Sequence, residues 1–342
     1  MERKFSCKFV CLVLLMIGIF ANAAFSKDMK IGSCIYRFND AFMLRFRTAM
    51  TIEALKNSDE SVTEIEIADS QNDQVIQNKQ VDDFIAEKVD ALIINPVNRM
   101  ESMAIIEKAK AANIPVVFIN REPTREMLDS YDKAWYVGAR AEESGIQSGQ
   151  IMAEYFQANP DADKNHDGKI QFIMLKGENG HQDMILRSKY SVEAIHAMGF
   201  EPVELASAIA NWDKLQAMNI MNGFVMSIGP ENIEAVISNN DEMALGAVEA
   251  LKLVDYNSGD PEQFIPIVGV DANAAALEAL INGEIIGTVL NDADNQGIAA
   301  VKIAMAAASG KPVNKDTIGY DVMDGKYVWI PYRKVTRSER NY

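Results

Sequence analysis

From residue 29 onward, short apolar runs rich in β-branched residues alternate with segments whose apolar residues recur at helical spacing. That alternation is the pattern of parallel βαβ units, and it constrains the fold more than any other feature of the chain. The runs fall into two groups, 29–36, 62–68, 91–97 and 114–120, then 170–176, 203–208, 235–238, 265–270 and 286–290. A chain of 342 residues exceeds what one hydrophobic core usually serves, so the groups read as two lobes of roughly 150 residues each. Between the runs lie amphipathic segments such as 73–88, where Val75, Ile76, Val81, Phe84 and Ile85 repeat so as to face a sheet. Each lobe is thus expected to be a doubly wound α/β sandwich. Polar residues cluster just after the strand ends, at Asn39-Asp40, Asn120-Arg121, Asn239-Asn240-Asp241, Asp271 and Asn291-Asp292. In open parallel sheets that edge is where ligands bind. Five such clusters are hard to assign to turns alone.

The first residues depart from this pattern. Arg3, Lys4 and Lys8 precede the apolar run 9–20, which ends in Ala21-Asn22-Ala23. A membrane anchor needs about 18–20 apolar residues, so residues 1–26 read as a secretory signal cut after Ala23 or after Ser26, and the mature chain is expected in the periplasm. No cysteine borders either junction, which argues against a lipid-anchored form. Cys7 and Cys11 lie in the signal, leaving Cys34 alone in an apolar strand: no intramolecular disulfide is expected, and packing is its expected role. Removing residues 1–26 takes away three basic residues and one acid, moving the net charge from −16 to −18. That excludes nucleic acid as an expected partner and fits a solvated acidic face, with attraction for cations as the alternative.

Asp163-Lys-Asn165-His-Asp167-Gly168-Lys169-Ile-Gln171 follows the opening of a calcium loop, with oxygen donors on alternate residues and a glycine for the sharp turn. The twelfth position, a bidentate glutamate in EF-hands, is Met174, so a last ligand has to come from elsewhere; a metal-free Asx-rich turn is the competing reading. Phe42 and Trp212 follow strand ends, where aromatic faces can stack on a pyranose ring or simply belong to the core. His181, Asp183 and Arg187 stand where a loop becomes a helix, with Asp183 and Arg187 four apart, as a fork for sugar hydroxyls or as an N-cap with a surface ion pair. His166 in the loop and His196 on a helix are expected to be solvated. No carboxylate pair is singled out for glycoside hydrolysis, and no nucleophile elbow, P-loop, zinc-binding pair or dinucleotide fingerprint occurs, so an enzyme is not expected.

These residues resemble the periplasmic glucose/galactose-binding proteins of ABC importers across nearly the whole mature chain. The resemblance is carried by Ile31-Gly-Ser-Cys-Ile-Tyr36 with Asp40 and Phe42, Asp69-Ser-Gln-Asn-Asp-Gln74, Pro115-Val-Val-Phe-Ile-Asn120 and Lys176-Gly-Glu178 with Gly180-His181. It continues in Asn239-Asn-Asp241, Val268-Gly-Val-Asp271 and Gly287-Thr-Val-Leu-Asn-Asp292. It implies two Rossmann-like lobes of the periplasmic binding protein type 1 fold, joined by a three-crossing hinge that closes on a monosaccharide. It divides the mature chain into 27–138 plus about 292–328, and 139–291 plus about 329–342. Carried over residue by residue, it implies a sugar site of Asp40, Phe42 and Asn120 from the first lobe. The second lobe adds His181, Asp183, Arg187, Trp212, Asn240, Asp271 and Asn291. Phe42 and Trp212 would be the stacking pair, and Asp40 with Asn120 would serve the hydroxyl at carbon 4. It further implies a structural calcium ion held by Asp163, Asn165, Asp167, Gln171, the Lys169 carbonyl and Glu234, with Lys169 departing from the family's uncharged side chain. Asn39 and Ala41 also differ from common family choices. The implied partners are a membrane permease and, as an open question, a chemoreceptor; the implied state is a monomer. A sugar-responsive transcription regulator shares such a fold but would open with a basic helix-turn-helix in place of a signal.

Overall fold

The computed structural model describes residues 28–56 and 63–338. The expected signal sequence and the last four residues lie outside these.

In the first sheet the strands are β1 (Met29–Ile35), β2 (Thr63–Asp69), β3 (Ala91–Ile94), β4 (Val116–Ile119) and β5 (Ala134–Gly138). The second sheet holds β6 (Lys169–Lys176), β7 (Glu201–Ile209), β8 (Ala235–Ser238), β9 (Ile267–Val268) and β10 (Gly287–Leu290). Two short strands follow, β11 (Tyr327–Trp329) and β12 (Arg333–Thr336). The helices between strands are α1 (Ala41–Lys56), α2 (Gln74–Ala86), α3 (Ser102–Ala111), α4 (Arg125–Asp129), α5 (Ala141–Ala158) and α6 (Gln182–Ala197). They continue with α7 (Lys214–Ile228), α8 (Asp241–Lys252), α9 (Ala274–Asn282), α10 (Ala293–Ala308) and α11 (Lys315–Ile318).

Among the described residues the two sheets have orders β11-β5-β4-β3-β1-β2 and β12-β10-β9-β8-β6-β7. Each contains the 2-1-3-4-5 succession of doubly wound folds, and only β12 runs antiparallel to its neighbour. Side-chain alternation sends successive residues to opposite faces. Ile93, Val117, Ile119 and Val137 pack under Phe46 of α1 and Ile303 of α10, while Leu92, Ile94, Val116 and Phe118 pack under Phe84 and Ile105. The second sheet divides likewise, with Ile173, Leu175 and Val236 against α7 and α8, and Phe172, Met174 and Ile237 against Met152 and Ile195.

The expected strands all form, though 265–270 contracts to two paired residues, and β5, β11 and β12 were not anticipated. Helix α2 begins where expected because Asp73 caps it, accepting the Val75 N–H at 2.7 Å. Cys34 is fully buried beside Phe84, and burial pushes its thiol up to about 12, so it packs and does not react. Among the described residues the chain passes between the sheets three times, at 139–140, 291–292 and 330–332. Trp329 still pairs with Gly138 in the first sheet, so the third passage falls just after the position near which the sequence reading put it.

Candidate ligand-binding cleft

The carboxyl ends of the two sheets face each other, and among the cavities between them is one lined by Tyr36, Asp40, Phe42, Met43, Asn120, His181, Asp183, Arg187, Trp212, Asn240, Asp271 and Asn291. All ten residues expected at a sugar site are in that lining. From the first lobe, Asp40 stands just ahead of α1, where one carboxylate oxygen accepts the Met43 N–H at 2.9 Å and the other accepts the Tyr36 hydroxyl. Asn120 follows β4 with φ +60°, and its side-chain Oδ1 accepts from Asn95 Nδ2 at 3.1 Å, which leaves its own NH2 for a ligand.

In the second lobe His181 caps α6: its Nδ1 accepts the Asp183 N–H at 3.1 Å, so Nε2 carries the hydrogen. Burial, reinforced by Arg121 and Arg187, holds the imidazole well below its usual range, and it serves as a neutral donor. Arg187 is buried and divides its guanidinium between the Asp183 carboxylate at 3.0 Å, the Tyr332 hydroxyl at 3.0 Å and the Asn239 carbonyl at 2.8 Å. Its Nε is buried without a partner, an unused donor beside the cavity. Asp183 and Arg187 therefore form an interior pair; the surface ion pair that was the competing reading is excluded by their burial. Burial raises the Asp183 carboxyl, with Arg187 opposing.

Trp212 has φ +63° and lies across the end of β6, where a Cβ on Gly177 would meet its indole at 2.1 Å. The His181 ring meets it edge to face, 5.1 Å between centroids. Asn240 caps α8 through Oδ1, and Asn291 Oδ1 is taken by Gln296 Nε2 at 2.6 Å. Asn291 Nδ2 reaches Asp271 at 3.3 Å. Burial pushes the Asp271 carboxyl up to about 7, Asp40 and Asp183 pushing the same way and Arg187 opposing. The lobes are closed: Arg121 Nη2 meets Glu178 Oε2 at 2.6 Å, Arg37 Nη2 donates to the Asn211 carbonyl at 3.1 Å, and Gln182 Nε2 donates to Glu122 at 2.8 Å.

The profile of the periplasmic binding protein domain matches residues 31–312. The chain belongs to the periplasmic binding protein family. It is a solute-binding protein of the periplasm that serves an ABC importer, and it is not an enzyme. Its relatives include the D-galactose/methyl-galactoside binding periplasmic protein MglB of Haemophilus influenzae, 42% identical over 93% of this chain and 92% of that one. A putative rhizopine-binding protein of Rhizobium meliloti is 30% identical over 90% of each chain. Among solved structures, an ABC transporter solute binding protein from Bacillus halodurans with bound myo-inositol superposes with TM-score 0.75 at 31% identity, over 92% of this chain and 96% of that one.

For this binding protein, sequence reasoning missed Tyr36 and Met43 in the lining and Tyr332 behind Arg187. All three look like core residues in sequence, and only the spacing of Tyr36 from Asp40 offered a signal.

The 163–171 segment leads into β6, its last three residues being the first of that strand, and so lies at the opposite edge of the second sheet from the cleft. Its donors turn inward on the loop: Asp163 accepts the Gly168 N–H at 2.8 Å, Asn165 the Asp167 N–H at 2.9 Å, and Asp167 both Lys169 N–H and Gln171 Nε2. Glu234, buried, accepts Lys164 N–H at 2.8 Å and Gln171 N–H at 3.0 Å. Among the described residues no three His, Cys, Asp or Glu side chains stand close enough to grip a metal together. The donor set is nonetheless all oxygen, which suits a hard cation, and the Gln171 Oε1 is buried with no hydrogen-bond partner. The Lys169 ammonium points away from the loop, to Glu201 at 3.3 Å. His166 and His196 are exposed.

Proposed function

We propose that this chain captures D-glucose and D-galactose, with methyl galactosides as further ligands, and presents them to the permease of the importer. The observation that carries the reading is the gathering of Asp40, Phe42, Asn120, His181, Asp183, Arg187, Trp212, Asn240, Asp271 and Asn291 around one closed cavity. Aromatic rings from opposite lobes suit the apolar C–H faces of a pyranose, and the carboxylates and amides suit its equatorial hydroxyls. The identity to a protein named for D-galactose and methyl-galactoside supports that choice. Each lobe supplies part of the site, so sugar and closure stabilise one another. Several hydrogen bonds to ionised partners, about 1.5–3 kcal/mol each before the cost of ordering, are consistent with a dissociation constant of about 1 μM.

Tryptophan fluorescence of the mature protein, titrated in parallel with glucose, galactose, ribose and myo-inositol, tests this. Saturation by either hexose near micromolar concentration with no response to ribose is expected; response to myo-inositol alone would replace the hexose by a cyclitol, as in the solved relative.

The same reading includes a structural Ca²⁺ held by Asp163, Asn165, Asp167, Gln171, the Lys169 carbonyl and Glu234. With Lys169 paired to Glu201, its charge weakens the ion little. It also includes export by cleavage of residues 1–26, a monomeric mature chain, and a chemoreceptor as a second partner of the closed form. Mass spectrometry of the secreted chain and sedimentation of the purified protein test the export and the oligomeric state. Co-sedimentation of the sugar-loaded protein with chemoreceptor-containing membranes tests the last; equal sedimentation with and without receptor would remove it.

A further inference from the structure

Asp241 opens α8 directly after Asn240, yet it is absent from the cavity lining. It is fully buried, and its two carboxylate oxygens accept from two different segments: Oδ1 from the Thr288 hydroxyl of β10 at 2.7 Å, Oδ2 from the Asn273 N–H at 2.9 Å. The Thr288 oxygen in turn accepts the Ala272 N–H at 3.2 Å. The residues so gripped form the turn after β9, where Asp271 has φ +121° and Ala272 φ +52°. Two successive non-glycine residues in the left-handed region are strained and persist only where their surroundings hold them.

The surroundings are built for that purpose. Gly269 is required, because a Cβ there would stand 2.2 Å from Asp241 Oδ1. Both groups that reach Asp241 are donors, and a carboxylate offers an acceptor oxygen to each, whereas an amide offers one oxygen only. A side chain of this kind with no exposure is costly unless its bonds are needed. We infer that Asp241 is a positioning residue of the ligand site: together with Thr288 it holds the strained turn and thereby aims the Asp271 carboxylate into the cavity.

The inference rests on the cavity being the ligand site, and the test separates the two. Titration calorimetry with glucose and galactose compares the wild type with Asp241→Asn, Thr288→Val, Thr288→Ser, Asp271→Asn and Asn120→Ala, and with Asp241→Asn combined with each of the last two. Asp241→Asn and Thr288→Val should each weaken binding about 10-fold, and Thr288→Ser, which keeps the hydroxyl, by less than about 2-fold. On the Asp271→Asn background the Asp241→Asn loss should shrink to about 2-fold, while on Asn120→Ala in the other lobe it should persist in full. Wild-type affinity in Asp241→Asn, or an undiminished loss on the Asp271→Asn background, overturns the inference; if Asp241→Asn fails to fold, the Thr288 pair decides, and wild-type affinity in Thr288→Val or an equal loss in Thr288→Ser overturns it. Amide hydrogen exchange without ligand reads the clamp directly. Faster exchange at Ala272 and Asn273 in Asp241→Asn is expected, and unchanged protection refutes it. Exchange that responds in a protein binding no hexose would sink the ligand reading and leave the clamp standing.

Discussion

Replacing Glu178 by Gln should loosen ligand binding without touching the cavity. Arg121 and Glu178 belong to opposite lobes and meet at 2.6 Å, so their bond exists only when the cleft is shut. Arg121 is buried, bonded also to the Val97 carbonyl and seated 4.0 Å over the Tyr36 ring, and it keeps these contacts in the variant. A charge-assisted bond contributes about 1.5–3 kcal/mol. Glu178 is 31% exposed, however, so solvent screens part of the attraction and about 1 kcal/mol is the realistic loss from the closed state. Because ligand is held only by that state, the dissociation constant should rise about 5-fold. Calorimetry gives the affinity, and stopped-flow tryptophan fluorescence assigns it: dissociation should accelerate about 5-fold with association changed less than about 2-fold. The gap between variant and wild type should narrow in high salt. An unchanged affinity, or a loss carried by slower association, would refute the assignment of this pair to closure.

Asp271 carries a second prediction. Its folded pKa, about 7, lies above the ordinary value of about 3.9, so the unfolded chain loses this proton first and stability falls as pH rises from about 4 to about 7. Asp271→Asn should melt above the wild type at pH 8 and level with it near pH 4; equal melting curves at pH 8 would contradict the burial argument. Chelation with EDTA should lower the melting temperature by a few degrees with sugar affinity little changed, Ca²⁺ should restore it, and Glu234→Gln should abolish the response; a melting temperature indifferent to EDTA would make the loop a metal-free turn. The Cys34 thiol should resist a thiol reagent in the native protein at neutral pH and react fully in denaturant, since burial holds it near 12; rapid native labelling would disprove that.

The sandwich was legible because a parallel sheet covered on both faces must be written as apolar runs separated by helical periods, and β1, β6 and β8 occupy the runs that showed it. The cavity was legible because Asp40, Asn240 and Asp271 are polar residues at strand ends; Asp40 and Asn240 also accept backbone N–H groups at the starts of α1 and α8, so the family resemblance was needed to single them out as ligand residues. What stayed hidden depended on partners distant in sequence. β5 reads Ala-Trp-Tyr-Val-Gly, too brief and too aromatic to declare itself, and β11 and β12 have three and four residues. Arg121 and Glu178 are 57 residues apart and join only through closure. Arg187 is bonded in the interior to the Tyr332 hydroxyl, which arrives 145 residues later. Little in a local pattern separates an aromatic that faces a core from one that faces a cleft, which is why Tyr36 was read as part of its strand and not as a lining residue.

The three passages between the sheets bear on how reproducibly the protein works. A single tether would let the lobes swivel freely, and two would still permit a twist about the line that joins them. Three passages restrict that twist further than one or two would. Asp40 and Asn120 have to meet Trp212 and Asp271 in register each time the halves come together, and a linkage of three segments narrows the range of approaches from which the ligand must select.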